Sequence, residues 1–272
     1  MLSHYRDVPN LAPKTTTCGR TVFPQPNNEM QPAINNQMCS LINAIFGTTQ
    51  EEAEKIEMST RDQADSAMWF EERRNGLTAS QFAKICKRKK DINEKFINSL
   101  FGEVNTFTSP ATSYGRANES VAKQVYLAKN TNIHIHDCGL VVNPQFSFLA
   151  ATPDGKICIN GQTGILEIKC PYSARDLTIS EAANTVPNFC LVKLGTSHTL
   201  NQNHDYYFQV QGQLLVTGAP FCLFLVYTKK DMFEEQILPN LNFRTDMYKK
   251  LLRFYSQYGP KSISLHSPSG SE

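Results

Sequence analysis

The chain has 272 residues, 40 % of them hydrophobic and 19 % charged, the composition of an ordinary globular protein and not of a low-complexity chain. No apolar run approaches the ~20 residues that cross a bilayer, and the first residues lack a signal-peptide core, so an intracellular protein is expected, nuclear or cytoplasmic and not secreted. A net charge of +2 is too small to name a polyanionic partner, and eight cysteines without a Cys-x-x-Cys pair read as reduced thiols.

In chain order, residues 1–35 carry proline, asparagine and threonine with no sustained period, 38–46 have the pattern of a short helix, and 50–66 that of a polar helix or linker. These give a partly disordered arm and linker helix over 1–67, a folded domain over 68–258 and a flexible tail over 259–272. Thr78 and Gln81 have capping-box spacing, which predicts a helix running to about Cys86. From Arg73 to Lys95, eight lysines and arginines stand against Asp91 and Glu94, including the run Lys87 to Lys90. Alone such a run is a solvated helix end; beside a phosphate site it becomes a backbone-binding patch.

A second helix is predicted over 91–103. A third, over 113–129, turns Val121, Ala122, Val125 and Ala128 inward and carries Glu119 in its first turn, near the positive end of the helix dipole. Strand-like runs follow at 139–143, 146–152, 156–160 and 164–170, the last two joined at Asn160 and Gly161. A helix over 206–217 stops at Gly218, a strongly apolar strand covers 221–228, and a helix covers 241–255. The fold class is α/β (α+β), a central mixed β-sheet flanked by helices.

The chemistry concentrates on Asp154, between Pro153 and Gly155, and on Glu167 and Lys169. Alternation along a strand places Ile165, Glu167 and Lys169 on one face. Two opposite charges on an otherwise apolar strand are costly in a core and suit a cleft holding a divalent cation and phosphate oxygens. Asp154 and Glu167 are hard ligands for Mg²⁺, with Mn²⁺ as a substitute, and the backbone carbonyl of Ile168 is a further oxygen. Lys169, as a point charge, stabilises the attacking water and the phosphoryl group. The bland alternative is an Asp-Gly surface turn followed by a solvated strand.

The residues resemble the YqaJ-type viral recombinase family of lambda-exonuclease-like enzymes, within the PD-(D/E)xK nuclease fold. The resemblance is carried by Asp154, Glu167, Lys169 and Arg175, and by the block Trp69, Arg73, Thr78 and Ser80. Gly115 with Glu119, and Gln209 with Gln211, extend it, so the blocks run from about 68 to 230 in the family's order. It implies a Mg²⁺-dependent 5′→3′ exonuclease on double-stranded DNA ends, serving recombination, repair or viral DNA processing. Glu119 would complete the metal site, directly or through water, and Gln209 would orient substrate or water. Arg73, Thr78 and Ser80 would hold a terminal 5′-phosphate, and Arg175 would touch the DNA backbone. A homo-oligomer and a strand-annealing protein are the further partners it implies. Where the family's processive member has another aspartate, ten residues before Asp154, this chain has Pro144. A degenerate DNA-end-binding module, a structure-selective endonuclease and an interaction scaffold stay open. His134, His136 and Cys138 offer zinc-type donors without a fourth ligand, Tyr206 and Tyr207 read as core packing, and Trp69 as packing beneath the phosphate-binding segment.

Overall fold

The computed structural model describes residues 23–34, 36–102 and 109–260. Helices α1 (Gln31–Ile34), α2 (Gln37–Phe46), α3 (Gln50–Ser59) and α4 (Ala67–Arg74) lead into strand β1 (Leu77–Thr78), α5 (Phe82–Cys86), α6 (Glu94–Phe101) and the long α7 (Pro110–Lys129). Strands β2 (His134–His136), β3 (Val141–Val142), β4 (Leu149–Ala151), β5 (Gly155–Ile159) and β6 (Gln162–Lys169) come next. Helix α8 (Ile179–Thr185), the hairpin β7 (Leu191–Leu194) and β8 (Ser197–Leu200), α9 (Asp205–Thr217), β9 (Cys222–Tyr227), β10 (Met232–Ile237) and α10 (Leu241–Tyr258) complete the order.

The main sheet has the order β10-β9-β6-β5-β2, with β6 parallel to β9 and its other pairings antiparallel. The turn between β5 and β6 has Asn160 at φ 50° and Gly161 at φ 77°, the left-handed pair that a two-residue hairpin loop requires. Alternation along β6 then divides the interior. Leu166 and Ile168 pack with Ala122 and Tyr126 of α7 on one face. Ile165 joins Phe224, Val226 and Leu214 of α9 on the other. A parallel β6–β9 pair needs a crossover, and α8, the β7–β8 hairpin and α9 supply it. The crossover brings α9 back over the strand carrying Glu167 and Lys169. A smaller sheet, β1-β4-β3, sits beside the main one.

Two expectations are corrected here. Packing does not begin near Met68: Phe23, Met30, Cys39 and Ile42 lie in the main core. The last carbonyls of α9 would be orphaned, because a helix end has no intrahelical donors for them. They are taken by the Asn27 side chain to Leu215 at 2.8 Å, the Asn143 side chain to Val216 at 2.9 Å, and the Gln25 N–H to Thr217 at 2.8 Å. Glu57 of α3, buried, pairs with the equally buried Lys156 of β5 at 2.9 Å. Residues 23–34 and 36–67 are therefore part of the fold, while 1–22, 35 and 261–272 of the predicted arm and tail lie outside the described residues.

The second correction concerns α7, which starts at Pro110 after the N-cap Ser109 and not near Ser113. Its buried positions are Ala122 and Tyr126, one turn apart, whereas Val121 and Ala128 are exposed. Glu119 is consequently mid-helix, too far along to feel the N-terminal dipole.

Candidate active site

Asp154 sits where the chain enters β5. Its N–H donates to the Leu166 carbonyl at 2.9 Å, and its Oδ2 accepts from the Ile168 N–H at 2.6 Å. Both bonds tie the carboxylate to β6. Burial pushes its pKa well above the ordinary carboxylate value, and the charges of Glu167 and Glu119 push it further, against the pull of Lys169 and the Ile168 N–H. Glu167 is 1 % exposed. Its Oε1 accepts from Gln209 Nε2 at 2.6 Å and pairs with Lys169, and its Oε2 accepts from Gln213 Nε2 at 2.6 Å.

Burial disfavours the Lys169 ammonium, but Glu167, Asp154 and Tyr206 outweigh it and raise the pKa above the ordinary lysine value, so the group is a fixed cation. It donates to Gln209 Oε1 at 3.1 Å and lies 4.6 Å from the centroid of the Tyr206 ring. Tyr206 is half-buried and packs against the main core as expected, with its ring also facing Lys169, and Tyr207 is buried in the core.

This donor set fits a hard divalent cation. The Glu167 carboxylate raises the pKa of Asp154, and the Lys169 ammonium is paired with Glu167, an imbalance of charge that a bound cation would relieve. The charges of both Glu167 and Glu119 act on Asp154. Glu119 also pairs with Lys123 at 2.8 Å, and among the described residues no three His, Cys, Asp or Glu side chains group to hold a metal. Pro144 opens a one-turn 3₁₀ segment, and its carbonyl lies 3.4 Å from Asn43 Nδ2 of α2.

The second constellation gathers Arg73, Thr78 and Ser80. Arg73 stacks 4.0 Å over the Trp69 ring, and its guanidinium reaches the hydroxyls of Thr152 and Thr78, each at 3.5 Å. Thr78 and Ser80 share a hydroxyl contact of 3.2 Å, within the capping box of Thr78 and Gln81. Arg73 makes no ion pair among the described residues, and burial holds its pKa down to about 10. A half-buried guanidinium beside hydroxyls and without an acid partner among the described residues has the chemistry of an anion-binding group. Trp69 packs half-buried against Leu140, Val142 and Ala150, beneath this segment, and its indole N–H donates to the Thr152 hydroxyl at 3.2 Å.

Other predicted residues fall elsewhere. Arg175 bonds to the Tyr172 carbonyl at 2.8 Å, stacks on the Tyr172 ring and pairs with Asp176, on the loop after β6. Gln211 donates to the Leu238 carbonyl at 2.9 Å, away from Glu167. His134 and His136 are exposed on β2 while Cys138 is buried with its thiol pushed up to about 12, so these residues do not form a zinc site. Two residues escaped the sequence reading. Gln213 is one turn beyond Gln209 and shares its face, a four-residue spacing that was available as a signal. Thr152, two residues before Asp154, joins Arg73 and Trp69, and no local pattern marks it.

Comparisons with known proteins show the family and the fold. The YqaJ-like viral recombinase domain model matches residues 68–220, more than half of the chain. The alkaline nuclease of Autographa californica nuclear polyhedrosis virus is 25 % identical over 205 residues, covering 65 % of this chain and 45 % of the relative. An uncharacterized protein of Acanthamoeba polyphaga mimivirus is 28 % identical over 155 residues, covering 51 % and 25 %. The chain therefore spans less than half the length of these curated relatives. The alkaline exonuclease LHK-Exo from Laribacter hongkongensis superposes with a TM-score of 0.55 at 22 % identity, covering 74 % of this chain and 96 % of that one. A SOX–RNA complex of the Kaposi's sarcoma herpesvirus protein gives 0.55 at 11 % identity, covering 87 % and 85 %. These likenesses show the fold, the PD-(D/E)xK nuclease fold. With the domain model matched across its core and motif residues, the chain belongs to the YqaJ-like viral recombinase domain family.

Proposed function

We propose that this chain is a divalent-metal-dependent deoxyribonuclease that hydrolyses phosphodiester bonds at double-stranded DNA ends, 5′→3′, with Mg²⁺ as its ion and Mn²⁺ as a substitute. The observation that carries the reading is the set Asp154, Glu167 and Lys169, with Glu167 buried and the other two half-buried, in which the charges of two carboxylates act on one another beside one ammonium. When bound, the ion supplies Lewis-acid stabilisation of the phosphoryl oxygens and a lowered pKa for its water. Asp154 and Glu167 would hold it, with the Ile168 carbonyl and Glu119, directly or through water, as further oxygen donors. Lys169 keeps a positive charge beside the scissile phosphate, where charge develops in the transition state. Gln209 bonds to both Glu167 and Lys169 and keeps them in register. Arg73, Thr78 and Ser80 take the terminal 5′-phosphate, and Arg175 reaches the backbone of the strand from its exposed loop. The biological setting is recombination or viral DNA processing, with a second copy of the chain and a strand-annealing protein as further partners.

The test is nucleotide release from linear duplex DNA, expected with Mg²⁺ and absent with EDTA. Lys169→Ala lowers the rate by about 10²–10³-fold, the cost of removing one transition-state donor, and Asp154→Ala abolishes it, while both bind DNA in Ca²⁺. A folded wild type that binds ends yet releases no nucleotide with Mg²⁺ or Mn²⁺ makes it an end-binding module. Cutting of closed circles makes it an endonuclease. Arg73→Ala should equalise 5′-phosphorylated and 5′-hydroxyl ends; a wild type indifferent to the phosphate would remove that role.

A further inference from the structure

We infer that Gln213 is a positioning residue for the metal-binding carboxylate, holding the one oxygen of Glu167 that stays open to a cation. The inference rests on the nuclease reading above. A carboxylate oxygen has two acceptor directions. Both directions of Glu167 Oε1 are taken, by Gln209 and by Lys169. Oε2 receives only Gln213 Nε2, at 2.6 Å, and keeps one direction free. The side chain bonded to the open oxygen sets where that free direction points.

Packing does not account for Gln213. It is 1 % exposed on α9, followed by the buried Leu214, Leu215 and Val216, where an amide costs desolvation that a leucine would not. Its Oε1 is buried with no hydrogen-bond partner among the described atoms, so the residue carries an unsatisfied acceptor as well. Its donors face the site: one proton goes to Glu167, and Nε2 lies 3.4 Å from the Thr152 carbonyl. Thr152 in turn accepts from Arg73 and Trp69, so Gln213 bridges the catalytic carboxylate to the strand end beneath the phosphate-binding residues. The reach depends on the preceding residue. A Cβ at Gly212 would stand 2.5 Å from a Phe82 ring carbon, so glycine lets α9 lie close against α5 and fixes its height over β6.

The experiment uses the full chain and Mn²⁺ as the probe. Gln213→Met keeps length and volume and removes the donor. Calorimetric titration without DNA should show the Mn²⁺ dissociation constant rising by about 10–100-fold, the usual effect of losing a ligand's outer partner. In cleavage assays the half-saturating Mn²⁺ concentration should rise in step, while the rate at saturating ion stays near that of wild type. The metal-free melting temperature does not decide the matter, because Glu167 Oε2 loses its buried donor in either case. Gln213→Asn, one methylene shorter and still polar, should move metal affinity in the same direction, and serves if the methionine variant does not fold. A role in packing alone would leave affinity untouched. Mn²⁺ affinity within twofold of wild type in a folded variant overturns the inference and leaves the nuclease reading standing. A wild type that takes up no Mn²⁺ overturns both.

Discussion

Asp154 carries a pH dependence whose sign follows from its surroundings. Its folded pKa lies above the unfolded value of about 3.9. The protonated carboxyl therefore favours the folded state below the unfolded value, and that contribution is lost as pH rises through the raised one. In the metal-free protein, burial, Glu167 and Glu119 all oppose the ionised form of Asp154. Asp154→Asn should accordingly raise the metal-free melting temperature at pH 7 while abolishing cleavage, and the rise should vanish near pH 3. In thermal melts a gain of roughly 2–4 °C for each kcal/mol recovered is expected for a chain of this size. An unchanged or lower melting temperature at pH 7 would contradict the electrostatic account of the site. At this scale the sequence was most readable where motif and backbone coincide. Asp154, Glu167 and Lys169 stand as the strand alternation requires, but Glu119 was placed by a helix boundary that lay several residues upstream of the expected one. Gln213 shows the converse: its spacing was visible, and its chemistry depended on what faced it.

Helix α3 shows how an element read as a linker becomes structural. Its composition is polar and its period weak, yet Glu57 reaches Lys156, whose side chain is 4 % exposed, and also pairs with Arg61. Burial opposes the Glu57 charge, but Arg61, Lys156 and the Gly139 N–H hold its pKa below the ordinary value. Glu57→Ala leaves Lys156 as an unpaired buried ammonium, at a cost of about 3–5 kcal/mol. Replacing both partners, with Glu57→Leu and Lys156→Met, should recover most of that loss, because a well-packed apolar pair is close to neutral against a buried ion pair. Denaturant unfolding of the single and double variants checks this, and a single variant as stable as wild type would refute it. Propensity could not reveal the role, since it depends on the charge that β5 presents from about a hundred residues away.

Across the molecule, α9 aligns three features of the surface. Near Gly212 and Gln213 it meets α5 and Thr152, next to Arg73; at Gln209 it meets Glu167; at its start Asp205 receives Lys87 at 2.6 Å, one residue from Tyr206 over Lys169. The basic run is thereby pinned beside the site, with Lys89 and Lys90 exposed and without ion pairs among the described residues. A strand entering along this line would meet them as phosphate contacts. Lys89→Ala with Lys90→Ala should weaken duplex binding in Ca²⁺ and reduce the slope of log K against log salt by roughly 2, near 0.9 per phosphate. Removal of the exposed Lys55 of α3 should leave the slope alone. Equal slopes for wild type and the double variant would return the run to an ordinary solvated turn.

The sequence by itself determined the fold class, the β5–β6 hairpin and the helices on either side of β9, and it singled out Asp154, Glu167 and Lys169, because strand alternation, turn chemistry and capping are local, whereas α8, the β7–β8 hairpin and β10 went unread. Packing alone decided that Phe23, Met30, Cys39 and Ile42 belong to the core, that Glu119 pairs with Lys123, and that Gln213 bonds to Glu167 and Thr152 to Arg73 and Trp69. Those outcomes depend on which faces meet across the sheet. A buried amide or carboxylate acquires its role from the group opposite it, and that partner is chosen by the crossover bringing α9 over β6.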